Sequence, residues 1–201
     1  MHIKSNSRIF IAGKTGSGKT TLVKRVLYPM YTRRVFWDIK CENSDLLVNS
    51  SLCRSPAELA STIKKGKTSI LYQPADISPE DFNRVCEILF NNGNFALFVD
   101  EAATVTEPNW IEPWHNQIMI RGRSRGVGIV NVTQRPRACH NTLISEAEHF
   151  FIYRLQLETD VAKIKTILPK KYLAEIYTLP EYHCFYSDNT GIVKPLAPIR
   201  L

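Results

Sequence analysis

The apolar run Ile9-Phe10-Ile11-Ala12 passes without interruption into Gly13-Lys14-Thr15-Gly16-Ser17-Gly18-Lys19-Thr20. Thr21-Leu22-Val23-Lys24-Arg25-Val26-Leu27 follows with apolar residues at helical spacing. The central eight residues fit G-x-x-x-x-G-K-[ST], a pattern that carries meaning only when a strand delivers it and a helix leaves it. Both flanks are legible here. The glycines permit a turn tight enough for successive amide N–H groups to converge on phosphate oxygens at the positive end of a helix. A nucleoside triphosphate site is therefore expected over Gly13, Lys14, Thr15, Gly16, Ser17, Gly18, Lys19, Thr20 and Thr21. Lys19 would reach the outer phosphates, and the Thr20 hydroxyl would ligate Mg²⁺. The alternative is a glycine-rich turn before an ordinary helix.

A second stretch weighs against that alternative. Phe95-Ala96-Leu97-Phe98-Val99-Asp100-Glu101 is an apolar run that ends in two adjacent carboxylates. A buried strand ending at Asp100 can hold an acid beside Mg²⁺ through its water shell, and Glu101 beyond it can accept a proton from an attacking water. Alone, such a stretch is a strand with an acidic exit; paired with the phosphate loop, it points to hydrolysis. Val127-Gly128-Ile129-Val130-Asn131-Val132 is another core strand, and it ends in Thr133-Gln134-Arg135-Pro136. Gln134 would stand at the same edge as Asp100, placed to orient a γ-phosphate or a water, with capping or turn duty as the alternative. Three arginines, Arg121, Arg123 and Arg125, precede this strand.

A chain of 201 residues, 44% hydrophobic, can bury one α/β core and is short for two. One domain over residues 1–201 is expected. Strands are read at Arg8–Ala12, Arg34–Asp38, Thr68–Tyr72, Phe95–Val99, 127–132 and His149–Arg154, with helices between them. The first helix should end near Tyr28, before Pro29. Helices are read at Ser55–Lys64, Pro79–Asn91, Glu112–Arg121 and Leu143–Ala147, from Thr159 to a stop before Pro169, and at Lys170–Tyr177. Glu181–Ser187, the turn Asp188-Asn189-Thr190-Gly191 and Ile192–Lys194 form a terminal hairpin. The result is an α/β fold with a mostly parallel central sheet flanked by helices. Asp38-Ile39-Lys40-Cys41-Glu42 leaves the second strand at the edge where open α/β sheets bind ligands; a solvated loop is the competing reading.

Net charge is +7, which suits a polyanionic partner such as nucleic acid, or a basic solvated surface. Lys64, Lys65, Lys67, Arg135 and Arg137 are candidate phosphate-backbone contacts on the first view and surface residues on the second. Five cysteines (41, 53, 86, 139, 184) lack metal or disulfide spacing and read as small buried residues of a reducing cytoplasm. Histidines 2, 115, 140, 149 and 183 show no metal spacing. No apolar run is long enough to span a membrane and no signal-peptide core is seen, so a cytoplasmic location is expected.

The phosphate loop, Asp38-x-Lys40-x-Glu42, Asp100-Glu101, Gly122-Arg123 before Gly126-Val127-Gly128, and Thr133-Gln134-Arg135-Pro136 together resemble the FtsK/HerA family of DNA-pumping ATPases across residues 8–155. The resemblance implies a RecA-like P-loop NTPase sheet, a homo-oligomeric ring taken as a hexamer, ATP hydrolysis between subunits and passage of double-stranded DNA through the ring. It aligns Arg123 with the arginine that precedes the Thr-Gln-Arg-Pro strand, which makes Arg123 the candidate finger into a neighbouring site and Arg121 the runner-up. The small size is similar to genome-packaging ATPases of tailless icosahedral viruses with an internal membrane. That implies a procapsid or viral membrane protein as docking partner, in the host cytoplasm or on the virion. Residues 156–201 match no motif and form a C-terminal extension. The competing functions are a small nucleoside or metabolite kinase, which would need an acceptor pocket and a lid, and a nucleotide-dependent assembly switch, which would not need Glu101.

Overall fold

The computed structural model describes residues 3–199 apart from 77 and 189. His2 and the turn residue Asn189 therefore lie outside the described residues. Strand β1 (Arg8–Ala12) sends Ile9 and Ile11 to one core and Phe10 and Ala12 to another, as an unbroken apolar run in a doubly covered strand requires. The helical segment after the loop is α1 (Lys19–Leu22), a π-helical stretch Val23–Leu27 and a 3₁₀ turn Tyr28–Met30. It outlasts the expected end at Tyr28 because Pro29 occupies the first turn of the 3₁₀ piece, where no N–H is required.

The chain continues through β2 (Arg34–Trp37), a 3₁₀ segment Ser44–Asn49, β3 (Ser51–Cys53), α2 (Pro56–Lys64), β4 (Ser69–Tyr72), α3 (Pro79–Asn92) and β5 (Ala96–Val99). Ser55 and Ser78 cap α2 and α3 by accepting from the N–H groups of Glu58 and Asp81. A small hairpin, β6 (Thr106–Glu107) and β7 (Trp110–Ile111), precedes α4 (Pro113–Arg121) and a 3₁₀ turn Gly122–Arg125. Then come β8 (Gly128–Thr133), α5 (Thr142–Ser145), β9 (His149–Tyr153), α6 (Glu158–Ile164), α7 (Lys170–Glu175), β10 (Cys184–Asp188) and β11 (Val193–Leu196). Neither β3 nor the β6–β7 hairpin was expected from the pattern. Each is too short to show alternation, and Pro108 lies between the hairpin's strands.

The large sheet has the order β11-β10-β9-β1-β8-β5-β2-β4-β3. From β9 to β3 all pairings are parallel, and β10 and β11 add an antiparallel hairpin at the β9 edge. Alternate residues feed two cores of unequal cover. One lies under α2 to α7; the other is closed by the Lys19–Met30 segment through Leu22, Val23, Leu27 and Tyr28, with Leu196 and Ile199 at its margin. Aromatic stacking runs between strands, with Trp37 on Tyr72 at 5.0 Å and Phe36 on Phe98 at 6.1 Å. At the strands' N-terminal edge, Asn94 donates its N–H to the Arg125 carbonyl at 2.9 Å and packs on Gly126, whose φ is 69°. A Cβ there would fall 2.2 Å from the Asn94 Oδ1, so this contact requires glycine.

Four cysteines are buried, but Cys41 is exposed, contrary to expectation, because it sits with positive φ in the loop after β2. Among the described residues no helix is long and apolar enough to cross a membrane, and no cluster of metal-ligating side chains forms a cage.

His115 is fully buried, edge-on to Phe82, and among the described residues neither ring nitrogen finds a hydrogen bond of good geometry although the Asn131 amide lies beside it. Burial keeps the imidazole neutral and pushes its pKa down from 6.5 to about 3. On acidification the unfolded chain takes up this proton first. Stability is therefore complete above about pH 6.5 and is lost as pH falls toward 3, by up to about 1.4 kcal/mol per unit. In urea unfolding followed across this range, His115→Phe should lose stability less steeply than the parent chain; parallel profiles would show that the imidazole is solvated.

Candidate active site

The site lies where the parallel strands end. Register Ala12↔Thr133 sets the last residues of β1 and β8 side by side, and the Gly13 N–H donates to the Thr133 carbonyl at 3.2 Å. On the other flank the Lys14 N–H donates to the Arg154 carbonyl at 2.8 Å. The loop's base is thus clamped between the exits of β8 and β9. A Cβ on Gly13 would fall 2.4 Å from the Cβ of Tyr153, so the close approach itself demands glycine. Among the described residues the Ser17 hydroxyl, buried inside the loop, has no hydrogen-bond partner, a polar group in a cradle shaped for an anion.

Lys19 is buried, and its Nζ donates to the carbonyls of Gly13 at 2.7 Å and Lys14 at 2.8 Å. Burial pushes its pKa down to about 8; the Glu101 and Asp100 carboxylates oppose that and Lys40 adds to it. Lys19, Lys40, Asp100 and Glu101 therefore share one electrostatic environment. Asp100 is pushed up to about 6 by burial, against the pull of Lys40 and with further upward pushes from Asp38, Glu101 and Glu42. A divalent cation would reverse that balance. The Thr20 hydroxyl and the Asp100 carboxylate suit Mg²⁺, which retains most of its waters and uses few protein ligands.

Glu101 is held from one side. Its Oε1 accepts from the Thr133 hydroxyl at 2.8 Å and from the Gln134 N–H at 3.2 Å. Among the described residues nothing bonds Oε2. Gln134 is also tied to the loop, since Thr15 Oγ1 donates to its Oε1 at 2.6 Å. The end of β8 thus joins the phosphate loop to the acid. Thr133 was not anticipated as a site residue. Its signal was membership of the Thr133-Gln134-Arg135-Pro136 element.

Asp38 is fully buried and accepts four hydrogen bonds: from the Glu42 N–H, the Asn43 N–H, the Asn43 side chain and the Gln73 side chain, at 2.7–3.3 Å. The solvated-loop reading fails for Asp38, which instead pins a loop that presents Lys40 and Glu42 toward Asp100.

The three arginines lie at the opposite edge, before β8 begins, a strand length or about 20 Å from Thr133. Arg123 Nη1 meets Glu148 Oε1 at 3.3 Å, and Arg125 donates to the carbonyls of Phe90 and Asn91 at 3.2 and 3.0 Å. Among the described residues no partner binds the Arg121 side chain. None of the three enters its own chain's nucleotide site. The basic candidates divide likewise: Lys64, Lys65 and Lys67 stand at the N-terminal edge before β4, while Arg135 and Arg137 stand beyond β8 at the other. Arg135 is paired with the buried carboxylate of Asp160 at 3.3 Å.

No family model matches the chain. Over 200 residues it is 26% identical to the DNA packaging ATPase P9 of Enterobacteria phage PRD1, covering 94% of this chain and 87% of that protein. Its fold superposes on the genome packaging NTPase B204 of Sulfolobus turreted icosahedral virus 2, solved with ATP-γ-S, with a TM-score of 0.84 at 18% identity over 98% of this chain and 100% of that one. VirB4 of Thermoanaerobacter pseudethanolicus is more distant, with a TM-score of 0.73 at 10% identity over 96% of this chain and 89% of the other. The chain accordingly shares the fold of the packaging NTPase B204 and is similar in sequence to the packaging ATPase P9.

Proposed function

We propose that the protein hydrolyses ATP to pump double-stranded DNA, and that it packages a viral genome into a procapsid. The observation that carries the chemistry is Glu101, fixed by Thr133 and Gln134 beside the phosphate loop with one carboxylate oxygen left open. A metabolite kinase needs no acid so placed, and a switch has no use for a general base. The similarity to P9 and B204 supports DNA packaging as the task.

Lys19 exchanges its two loop carbonyls for the outer phosphates, and Glu101 Oε2 takes the proton of the attacking water. Gln134, anchored through Thr15, reports the state of the phosphate to the strand that ends at Thr133. Mg²⁺ held by Thr20 and Asp100 would neutralise phosphate charge. A hexameric ring, with Arg123 or Arg121 meeting the neighbouring γ-phosphate, completes the reading. Arg123, itself half exposed, would leave Glu148 to do so, and Glu148 would keep Arg8 as its partner.

Double-stranded DNA should stimulate ATP turnover, an effect that a kinase or a switch would not give. Lys19→Ala should abolish turnover and most nucleotide affinity. Glu101→Gln should bind Mg·ATP yet hydrolyse it about a hundredfold to ten-thousandfold more slowly, while Asp100→Asn should weaken Mg²⁺-dependent binding. Identical behaviour of the two acid variants would show that they do not divide the work.

DNA binding should tolerate sequence and fall steeply with salt, each phosphate contact adding about one unit to the slope. Because the two basic groups stand at opposite edges, replacing Lys64, Lys65 and Lys67 by alanine, or Arg135 and Arg137, should lower that slope in one case only. Strong preference for one short DNA sequence would count against a motor.

The arginine is tested by mixing. Arg123→Ala and Glu101→Gln subunits, each nearly inactive alone, should recover part of the ATPase activity together, because some interfaces then pair an intact acid with an intact arginine. An arginine finger is typically worth about a thousandfold to a hundred-thousandfold. Exchange of subunits without recovery would remove Arg123 from that role and turn the same experiment to Arg121.

A further inference from the structure

We propose that the cavity between the phosphate loop and the C-terminal hairpin seats the nucleotide's base, and that it selects the base by stacking and shape rather than by hydrogen bonding. This rests on reading residues 13–21 as the phosphate site. Strand β1 lies between β8 and β9. Glu101, Thr133, Gln134 and Thr15 gather on the β8 side, where the reacting end of a triphosphate belongs. On the β9 side lies a cavity of about 270 Å³ lined by Gly18, Thr21, Tyr153, Tyr182, Pro198 and Ile199. A second opening runs along Gly16–Thr21 and also ends at Tyr182, so the two share Gly18, Thr21 and Tyr182. The phosphate track and the cavity therefore adjoin at these residues. A triphosphate with its outer end at Lys19 leaves its nucleoside at the cavity.

Tyr182 is the residue that gives the cavity its chemistry. It occupies the third position of a β-turn closed by the His183 N–H on the Pro180 carbonyl at 3.2 Å, with φ at 64°. Glycine or asparagine is favoured there, and a bulky side chain is a backbone outlier. The ring is half exposed, yet it reaches the loop: its Cδ1 lies 3.2 Å from where a Cβ on Gly18 would stand. An aromatic face left uncovered beside a phosphate track suits base stacking, which tolerates any base because every base has a π face. Apart from the Thr21 hydroxyl and two phenols, the lining side chains carry no group able to read a base edge. Pro198 and Ile199 close the cavity from the C-terminal segment, so the extension beyond the shared motifs becomes part of the nucleotide site.

Equilibrium binding of Mg·ATP, Mg·GTP and Mg·tripolyphosphate to the full chain, to Tyr182→Gly and to Tyr182→Phe tests this. Tyr182→Gly suits the turn and should melt no lower than the parent, yet it should bind both nucleotides about ten- to a hundredfold more weakly with tripolyphosphate unchanged. Tyr182→Phe should match the parent. Parent-like nucleotide binding by Tyr182→Gly overturns the base pocket and leaves the phosphate site standing. Loss of tripolyphosphate together with the nucleotides places Tyr182 on the loop and overturns it too. A preference for ATP over GTP beyond about a hundredfold contradicts selection by stacking alone. If the parent binds neither nucleotides nor tripolyphosphate, the phosphate-site reading itself falls.

Discussion

One hydrogen bond, from the Gly13 N–H to the Thr133 carbonyl, carries the parallel ladder one residue beyond the end of β1 and into the loop. It fixes the phosphate loop against the residue whose hydroxyl holds Glu101, so the spacing between loop and acid is set by sheet register rather than by mobile side chains. The Thr15–Gln134 contact and the Lys14–Arg154 contact brace the same junction from either flank. Apart from Lys19, which must exchange its two loop carbonyls, a loop braced this way is already in place for an anion, the kind of preorganisation on which electrostatic catalysis draws.

Buried charge at this edge follows from the same packing. Asp38 is ionisable and fully enclosed, yet its oxygens are satisfied by four donors, two of them main-chain amides. It behaves as a framework group, and the loop it braces brings Lys40 close enough to temper the upward shift of Asp100. The segment that begins at Lys19 also supplies Leu22, Val23, Leu27 and Tyr28 to one of the two cores. A ligand bound at its first turn would therefore reinforce the packing of that whole face, and its occupancy would add to stability by mass action.

The phosphate loop and the Asp-Glu pair were legible in the chain because their chemistry uses contiguous residues, and contiguity survives in a one-dimensional string. The parallel core strands were legible for a related reason: burial on both faces leaves apolar runs that solvated strands do not show. Thr133, Gln73 and Asn43 were not, since each acts across neighbouring strands or loops and hydroxyls and amides occur everywhere. The edge strand β3 has three residues and no periodicity to detect. The separation of Lys64, Lys65 and Lys67 from Arg135 and Arg137 depends on which end of a strand each group flanks, so charge counts alone could not give it. Tyr182 escaped notice because an aromatic residue near a hairpin ordinarily means packing; only its positive φ and uncovered ring distinguish it.

Strand β8 bears the arginine turn at its first end and Thr133-Gln134 at its last. It is hydrogen-bonded along both sides, to β1 and to β5, in a register where a slip of one residue would turn every buried side chain to the wrong face. It cannot slide like a piston between its neighbours. A push delivered at Arg121–Arg125 must move the sheet as one plate, and the phosphate loop, carried by the adjoining strand, moves with it. Any displacement passed between the two edges would thus be a tilt rather than a shift in register, its size set by the stiffness of the whole sheet.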